Sequence, residues 1–318
     1  MTDKEIGVYK QIRAVDGAKF LAASKLAMSN TAKQKFDVEN AARTAAIARV
    51  KPVHQAMRDV IGQSHDFLKV REALATARKP QTRAVLGKPY IPPAPKVRRL
   101  KLGSVHLVDV PPFQALTWHA EQVYNGAPGS IQQLTADATT GDMTFDIWGG
   151  FSPTQQSSSN SSASCWCAVG QAYTMPADLR KDETGGASLR FTATPSFNWN
   201  AGWVSGWWRL ASGDIWIGQV VNRYVVNSDG SLSYVDDPVN YQISLRSWSD
   251  QNLADDGNPS GSNTAYGLTT SAFVEPGHVY GAWVWIGATV YGDNVDSGNS
   301  QSHAAMTANV SQLVLDTF

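Results

Sequence analysis

At 318 residues the chain is long enough to bury a large core and to hold two domains, with 17% charged residues and a net charge of zero. The zero hides a split: through Lys101 there are 21 Lys and Arg against 8 Asp and Glu, and from Leu102 onward 6 against 19, or +13 and −13. No apolar run of about 18 residues offers a membrane span, and the best early run, Phe20 to Met28, is broken by Lys25 and preceded by acids, unlike a secretory signal.

Residues 1–87 are rich in Ala, Lys, Arg and Gln and repeat apolar side chains at helical spacing. Ile12, Val15 and Phe20 come first, then Ile47, Val50, Met57, Val60 and Ile61, then Phe67, Val70 and Leu74. Asn30 or Thr31 is placed to cap one helix, Pro52 to end or kink it, and Ser64 with Asp66 to start the next. The apolar stripe is narrow and Ala-rich, so these helices need something to pack on: each other, another subunit or the second half. Residues 88–112 are a connector. Pro89, Pro92, Pro93 and Pro95 keep it extended, and Lys96, Arg98, Arg99 and Lys101 form a basic cluster. Leu102 to Val110 is a first strand, closed by Pro111-Pro112.

From 113 to 318 the pattern is β. Met143, Phe145 and Ile147 alternate with Thr144, Asp146 and Trp148, and Cys165, Cys167 and Val169 with Trp166 and Ala168. Leu189, Phe191 and Ala193 share a face opposite Arg190. Within Trp199 to Val220, which holds Trp199, Trp203, Trp207, Trp208 and Trp216, Ser212-Gly213 reads as a two-residue hairpin turn. That pairing sets Arg209 opposite Trp216 and puts Trp208, Leu210, Ile215 and Ile217 on a core face. Asn227 to Gly230 is a turn, and Val239, Tyr241, Ile243 and Leu245 form an aliphatic face. Ser152 to Ser164 and Gln251 to Thr264 are polar loops. Tyr280, Ala282, Val284, Ile286 and Ala288 oppose Trp283 and Trp285, and a last strand runs near Met306 to Leu315. Cys165 and Cys167 lie about 6.5–7 Å apart on one strand face, beyond a comfortable disulfide, so buried free thiols are expected. About nine to eleven strands predict an antiparallel two-sheet sandwich of jelly-roll type. The fold class is α+β in segregated halves: a basic helical arm (1–87), a Pro-rich connector with the first strand (88–112) and an acidic, Trp-rich β-sandwich (113–318).

The face opposite the aliphatic one repeatedly carries tryptophan: Trp148, Trp166, Trp207, Trp216, Trp283 and Trp285, with Arg209 as a cation–π partner of Trp216. Outer faces of sandwiches are usually polar. Three covers are weighed for this one: the chain's own helices or loops, a neighbouring subunit, or a sugar stacked on the rings.

Little else carries chemistry. There is no phosphate-binding Gly-rich loop, nucleophile elbow or kinase set. Asp146, Asp214 and Glu275 could supply a glycosidase pair, but solvated acids are the plainer reading. No cofactor is expected; Asp293 and Asp296 are the candidate ligands if Ca²⁺ binds. The positive charges of the arm are dispersed among acids, unlike a nucleic-acid-binding tract. Val279-Tyr280-Gly281-Ala282-Trp283-Val284-Trp285, with Val108 to Pro112 before a Trp-containing strand, resembles β-rich bacterial proteins of no assigned function. That resemblance covers only the β-half and implies no activity. The expectation is a non-enzymatic structural or assembly protein, whose basic arm docks on neighbouring copies of itself and whose sandwich is the displayed head. The alternatives are a carbohydrate-binding head (lectin-like, or a phage or surface adhesin) on a helical stalk, and a carbohydrate-active enzyme. A cell-surface, extracellular or particle-borne setting is favoured over the cytoplasm.

Overall fold

The computed structural model describes residues 17–61, 106–123, 130–150, 161–175, 187–204, 210–251, 256–292 and 300–317. Among the described residues, one helix, α1 (Gly17–Ile61), precedes fifteen strands. They are β1 (His106–Asp109), β2 (Gln114–Val123), β3 (Ser130–Ala136), β4 (Asp142–Gly149) and β5 (Ser161–Thr174). Then come β6 (Ala187–Ala193), β7 (Ser196–Val204), β8 (Leu210–Val226), β9 (Leu232–Gln251) and β10 (Asp256–Gly257). β11 (Ser260–Asn263), β12 (Leu268–Val274), β13 (Val279–Gly292), β14 (Gln301–Asn309) and β15 (Leu313–Thr317) complete the chain.

The strands form three antiparallel sheets, in the orders β2-β5-β13-β8-β9, β10-β7-β14-β4-β3 with β11 also on β7, and β1-β15-β6-β12. The sandwich expected from the alternation is present, with one refinement. β5, β8, β9 and β13 are 14 to 20 residues long, more than a single flat partner sheet covers. Their inner face therefore meets two shorter sheets end to end. Cys165, Cys167, Ile215, Ile217, Val284 and Ile286 pack on Phe145, Ile147, Ala304 and Met306 of the six-stranded sheet. Farther along the same strands, Tyr173, Val221, Tyr280 and Ala282 pack on Leu189, Phe191, Val274 and Leu315 of the four-stranded sheet. The two short sheets part where the chain cannot continue a ladder: Thr194-Pro195 between β6 and β7, and Val310 to Gln312 between β14 and β15. The single last strand expected over Met306 to Leu315 is thus two strands in two sheets. Gln219 is buried on this inner face, between Ile217 and Val221, and accepts a hydrogen bond from Thr270 at 2.8 Å.

The Ser212-Gly213 hairpin is corrected. β8 runs unbroken through both residues, which pair with Tyr291 and Val290 on one side and with Ser249 and Trp248 on the other. Trp216 faces Gly287 and Ser244 across its two ladders, not Arg209. Gly213 is small because the Trp248 ring lies across it. The pattern recurs: Trp283 is paired with Gly170, Trp285 with Gly218, Trp203 with Gly257 and Trp199 with Gly261, each ring lying where the glycine's Cβ would be. Glycine weakens a strand by leaving backbone bare, and a cross-strand aromatic restores the cover. The same pairs make two short strands within Gln251 to Thr264, read from sequence as a loop: β10 (Asp256–Gly257) and β11 (Ser260–Asn263) join β7 through Gly257 and Gly261. The turn at Asn227 to Gly230 is as expected, closed by Gly230 N–H to Asn227 O at 2.9 Å with Gly230 at φ +73°.

Helix α1 passes through Asn30, Thr31 and Pro52, where caps and a stop were expected. Thr31 donates back to the Ala27 carbonyl at 3.2 Å instead of capping. Gly17 to Phe36 belongs with the strands in one compact unit; from Asp37 the helix belongs to a second. In the first unit Phe20, Ser24, Ala27 and Met28 are buried at a spacing of three to four, and Phe36 follows eight residues on along the same helical stripe.

Cys165 and Cys167 are buried and unbonded to each other. Burial pushes both thiols well above the ordinary range, and the Cys167 Sγ lies 3.8 Å from the Thr144 carbonyl. Neither is expected to react with a disulfide-exchange reagent in the native protein, and both should label on unfolding; rapid native labelling would contradict this packing.

Candidate functional site

The tryptophans assigned to one outer face belong to two surfaces. Trp166, Trp216, Trp283 and Trp285 gather on the outer face of the five-stranded sheet with Trp118, Leu116 and Val220. The chain's own helix lies on them. Phe20 stacks on Trp283 at 5.4 Å between centroids, 7° from parallel, and meets Tyr224 edge-on at 5.8 Å. Phe36 meets Trp118 edge-on, and Lys35 Nζ sits 5.7 Å from the centre of the Trp216 ring. Ser24, inside this contact, accepts a hydrogen bond from the Tyr224 hydroxyl at 2.9 Å, and burial raises that phenol's pKa above its ordinary value. Lys19 approaches the turn at Gly230 and helps hold the Asp229 carboxyl low, though the Ser231 hydroxyl and N–H do more. Trp166, Trp216 and Trp283 are buried. With Trp285, they have indole N–H groups that meet no acceptor among the described residues. Trp207, Arg209, the basic cluster Lys96, Arg98, Arg99 and Lys101, and the acids Asp293 and Asp296 lie outside the described residues.

Trp148 is elsewhere, on the outer face of the six-stranded sheet, on the side of the sandwich away from the helix. That face is set by the alternation of β4, whose Met143, Phe145 and Ile147 are buried while Thr144, Asp146 and Trp148 point outward, as read from sequence. Ladder register places its neighbours. One row across the sheet reads Ser262, Asn198, Thr307, Thr144. The next reads Ser260, Asn200, Ala305, Asp146, Gln133, and the third Gly202, His303, Trp148, Ser130. Ala305 is the short side chain of the middle row, flanked by Asn200 and Asp146, so the surface dips over β14. The groove has a volume of about 570 Å³, within the range of ligand sites.

The groove is lined by amides, hydroxyls and one carboxylate, Asp146, with no Lys or Arg among the described residues that line it. Gln133, Asn198, Asn200, Ser260, Ser262 and Thr307 are exposed. Each amide or hydroxyl both donates and accepts. Beside the groove His303 stacks on Trp148, with centroids 4.1 Å apart and planes 25° apart, and its Nε2 is 3.1 Å from Asp146 Oδ1. Sequence reading singled out Asp146 and Trp148 but passed over Asn198, Asn200, Ser260 and Ser262. A usable signal was present: exposed Asn198 and Asn200 alternate with inward Phe197, Trp199 and Ala201.

The other acids weighed as catalytic lie away from this groove. Asp214 is on β8 and accepts from Ser244. Glu275 follows β12, where Arg223 binds it at 3.0 Å while also bonding Asp236 at 2.6 Å, and His278 is 3.6 Å away. Asp237 takes a hydrogen bond from Asn222 at 2.6 Å, and burial raises its pKa. Among the described residues no three His, Cys, Asp or Glu side chains gather as a metal site would require.

No protein-family model matches the chain, and no curated protein matches it. Among solved structures, a carbohydrate-binding module, TmCBM61 in complex with β-1,4-galactotriose, aligns at 11% identity with a TM-score of 0.12, over 54% of this chain and 80% of that one. A CocE/NonD family hydrolase from Staphylococcus aureus aligns at 10% and 0.14, over 61% of this chain and 37% of that one. A chain of infectious bursal disease virus, Gx strain, aligns at 7% and 0.12, over 68% and 40%. Likenesses this slight carry no argument about what the chain does, and its reading rests on its own helix-backed β-sandwich and the polar groove opposite the helix.

Proposed function

We propose that this chain is a carbohydrate-binding β-sandwich, and that the trough over β14 is where a glycan lies. The observation that supports this best is the lining itself: Gln133, Thr144, Asp146, Asn198, Asn200, Ser260, Ser262 and Thr307 around Ala305 in a groove of about 570 Å³. Sugar hydroxyls need partners that donate and accept, and the amides and hydroxyls of this lining do both. A phosphate ligand would ask for cations that the described lining does not offer. Binding without turnover fits as well, because glycoside hydrolysis needs two carboxylates about 5–10 Å apart and the described lining supplies Asp146. A glycan ligand would put the sandwich at a cell surface, outside the cell or on a particle.

The assembly reading places the helix of one copy on the sandwich of another. The contacts that would carry it, Phe20 on Trp283 and Lys35 on Trp216, are made within one chain. The helix thus has a structural part to play, and the groove is the open polar surface. The test is Ala305→Trp, which fills the trough from an outward, half-buried position. It should abolish glycan binding by the full chain on an array and by calorimetry while leaving the circular dichroism spectrum and melting midpoint intact. Undiminished binding would remove the groove from consideration.

A further inference from the structure

We infer that the trough takes a neutral oligosaccharide and that Asp146 excludes acidic ones; this rests on the glycan-binding reading above. Asp146 stands beside Ala305 in the middle row, with its side chain 36% exposed, and is the one carboxylate among the described lining residues. Its Oδ1 is engaged by His303 Nε2 at 3.1 Å, which leaves Oδ2 to accept from a ligand hydroxyl. His303 in turn is stacked on Trp148 and 17% exposed, so it holds the carboxylate in place. The rest of the lining is uncharged. A uronate or sialate carboxylate laid in the trough would face Asp146 with no Lys or Arg among the described lining residues to offset the repulsion. A neutral sugar meets the same oxygen as a hydrogen-bond acceptor. The lining row from Ser260 on β11 to Gln133 on β3 crosses four strand spacings, roughly 19 Å at the usual separation of paired strands, so the site suits a short stretch of chain rather than a single sugar.

The test compares the full wild-type chain with Asp146→Asn and Ala305→Trp. Neutral oligosaccharides (cello-, manno- and galacto-series) and acidic ones (oligogalacturonate and sialylated glycans) are printed on one array, at fixed ionic strength. The wild type should bind neutral and not acidic glycans. Asp146→Asn, which keeps an acceptor but loses the charge-assisted hydrogen bond, should weaken neutral binding severalfold and strengthen acidic binding by about tenfold or more, the factor that 1.4 kcal/mol of relieved repulsion provides. Ala305→Trp should lose both. Wild-type binding of acidic glycans that Ala305→Trp abolishes would overturn the charge filter and leave the groove as the glycan site. Acidic glycans still excluded by Asp146→Asn would likewise remove Asp146 from that role. Binding of no glycan, or binding that Ala305→Trp does not touch, would overturn both proposals. Should Ala305→Trp fail to fold, the double substitution Asn198→Ala with Asn200→Ala, at exposed positions on the trough's other wall, serves in its place.

Discussion

Replacing Phe20 with Ala is expected to lower the stability of the sandwich by about 3–5 kcal/mol, the usual cost of deleting a buried aromatic ring. The ring is 0% exposed, stacked on Trp283 and edge-on to Tyr224, and it covers Gly281, whose missing side chain leaves the backbone beneath it bare. Its removal opens a cavity that rigid indoles and a β-backbone cannot collapse into. The loss would be read from a denaturant titration followed by tryptophan fluorescence. A change under about 1 kcal/mol, ordinary for a surface position, would mean that the helix is not held there. The same contact alters the expectation for a truncation. Read as a separable arm, residues 1–87 could be deleted to leave a soluble monomeric head. With Phe20, Met28 and Phe36 removed, Trp118, Trp166 and Trp283 lose their cover, and the shortened chain is expected to self-associate or precipitate.

The second large effect concerns the glycines beneath the rings. Gly218→Val is expected to destabilise by about 3 kcal/mol or to prevent folding, at or beyond the upper end of ordinary overpacking. A Cβ at this position would run into the Tyr241 carbonyl oxygen and the Trp285 indole nitrogen. The first is strand backbone, and the second is locked between Trp166 and Trp216, so neither can step aside. Gly267→Ala is the matched control, since a Cβ there meets nothing within 4 Å, and it should leave stability within about 0.5 kcal/mol. Equal melting midpoints for the two variants would refute the idea that the tryptophans are seated on glycines.

The same packing explains why sequence alone leaves the helix and the aromatic face unconnected. The stripe Phe20, Ser24, Ala27, Met28, Phe36 is sparse and mostly small, so it signals a helix needing a partner without saying which. The partner face is assembled from β2, β5, β8 and β13, and its residues span more than 150 positions from Leu116 to Trp285. Each strand revealed that its tryptophan opposed the aliphatic face. Only pairing could reveal that Trp148 opposes it on a different sheet. Ser212-Gly213 misled for a related reason: a small-residue pair between apolar runs is the local mark of a hairpin turn, and it is also what a strand needs where a neighbour's indole lies across it.

What the sequence determined by itself was the local periodicity. Alternation with period two named the inward side chains of β4, β5, β6 and β13, and the charge and tryptophan split separated a helical first part from a β second part. It foretold buried free cysteines and the turn at Gly230. What only the tertiary structure decided was everything set by non-local register: the division of the facing layer into two sheets, the seating of indoles on glycines, the helix over the aromatic face and the polar trough over β14. Periodicity is a property of neighbouring residues, and a strand's side chains take their faces whatever it pairs with. A groove is made by which strands lie side by side and in what register, and Asn198, Ala305 and Asp146, three ordinary residues in sequence, become one site only when β7, β14 and β4 are laid together.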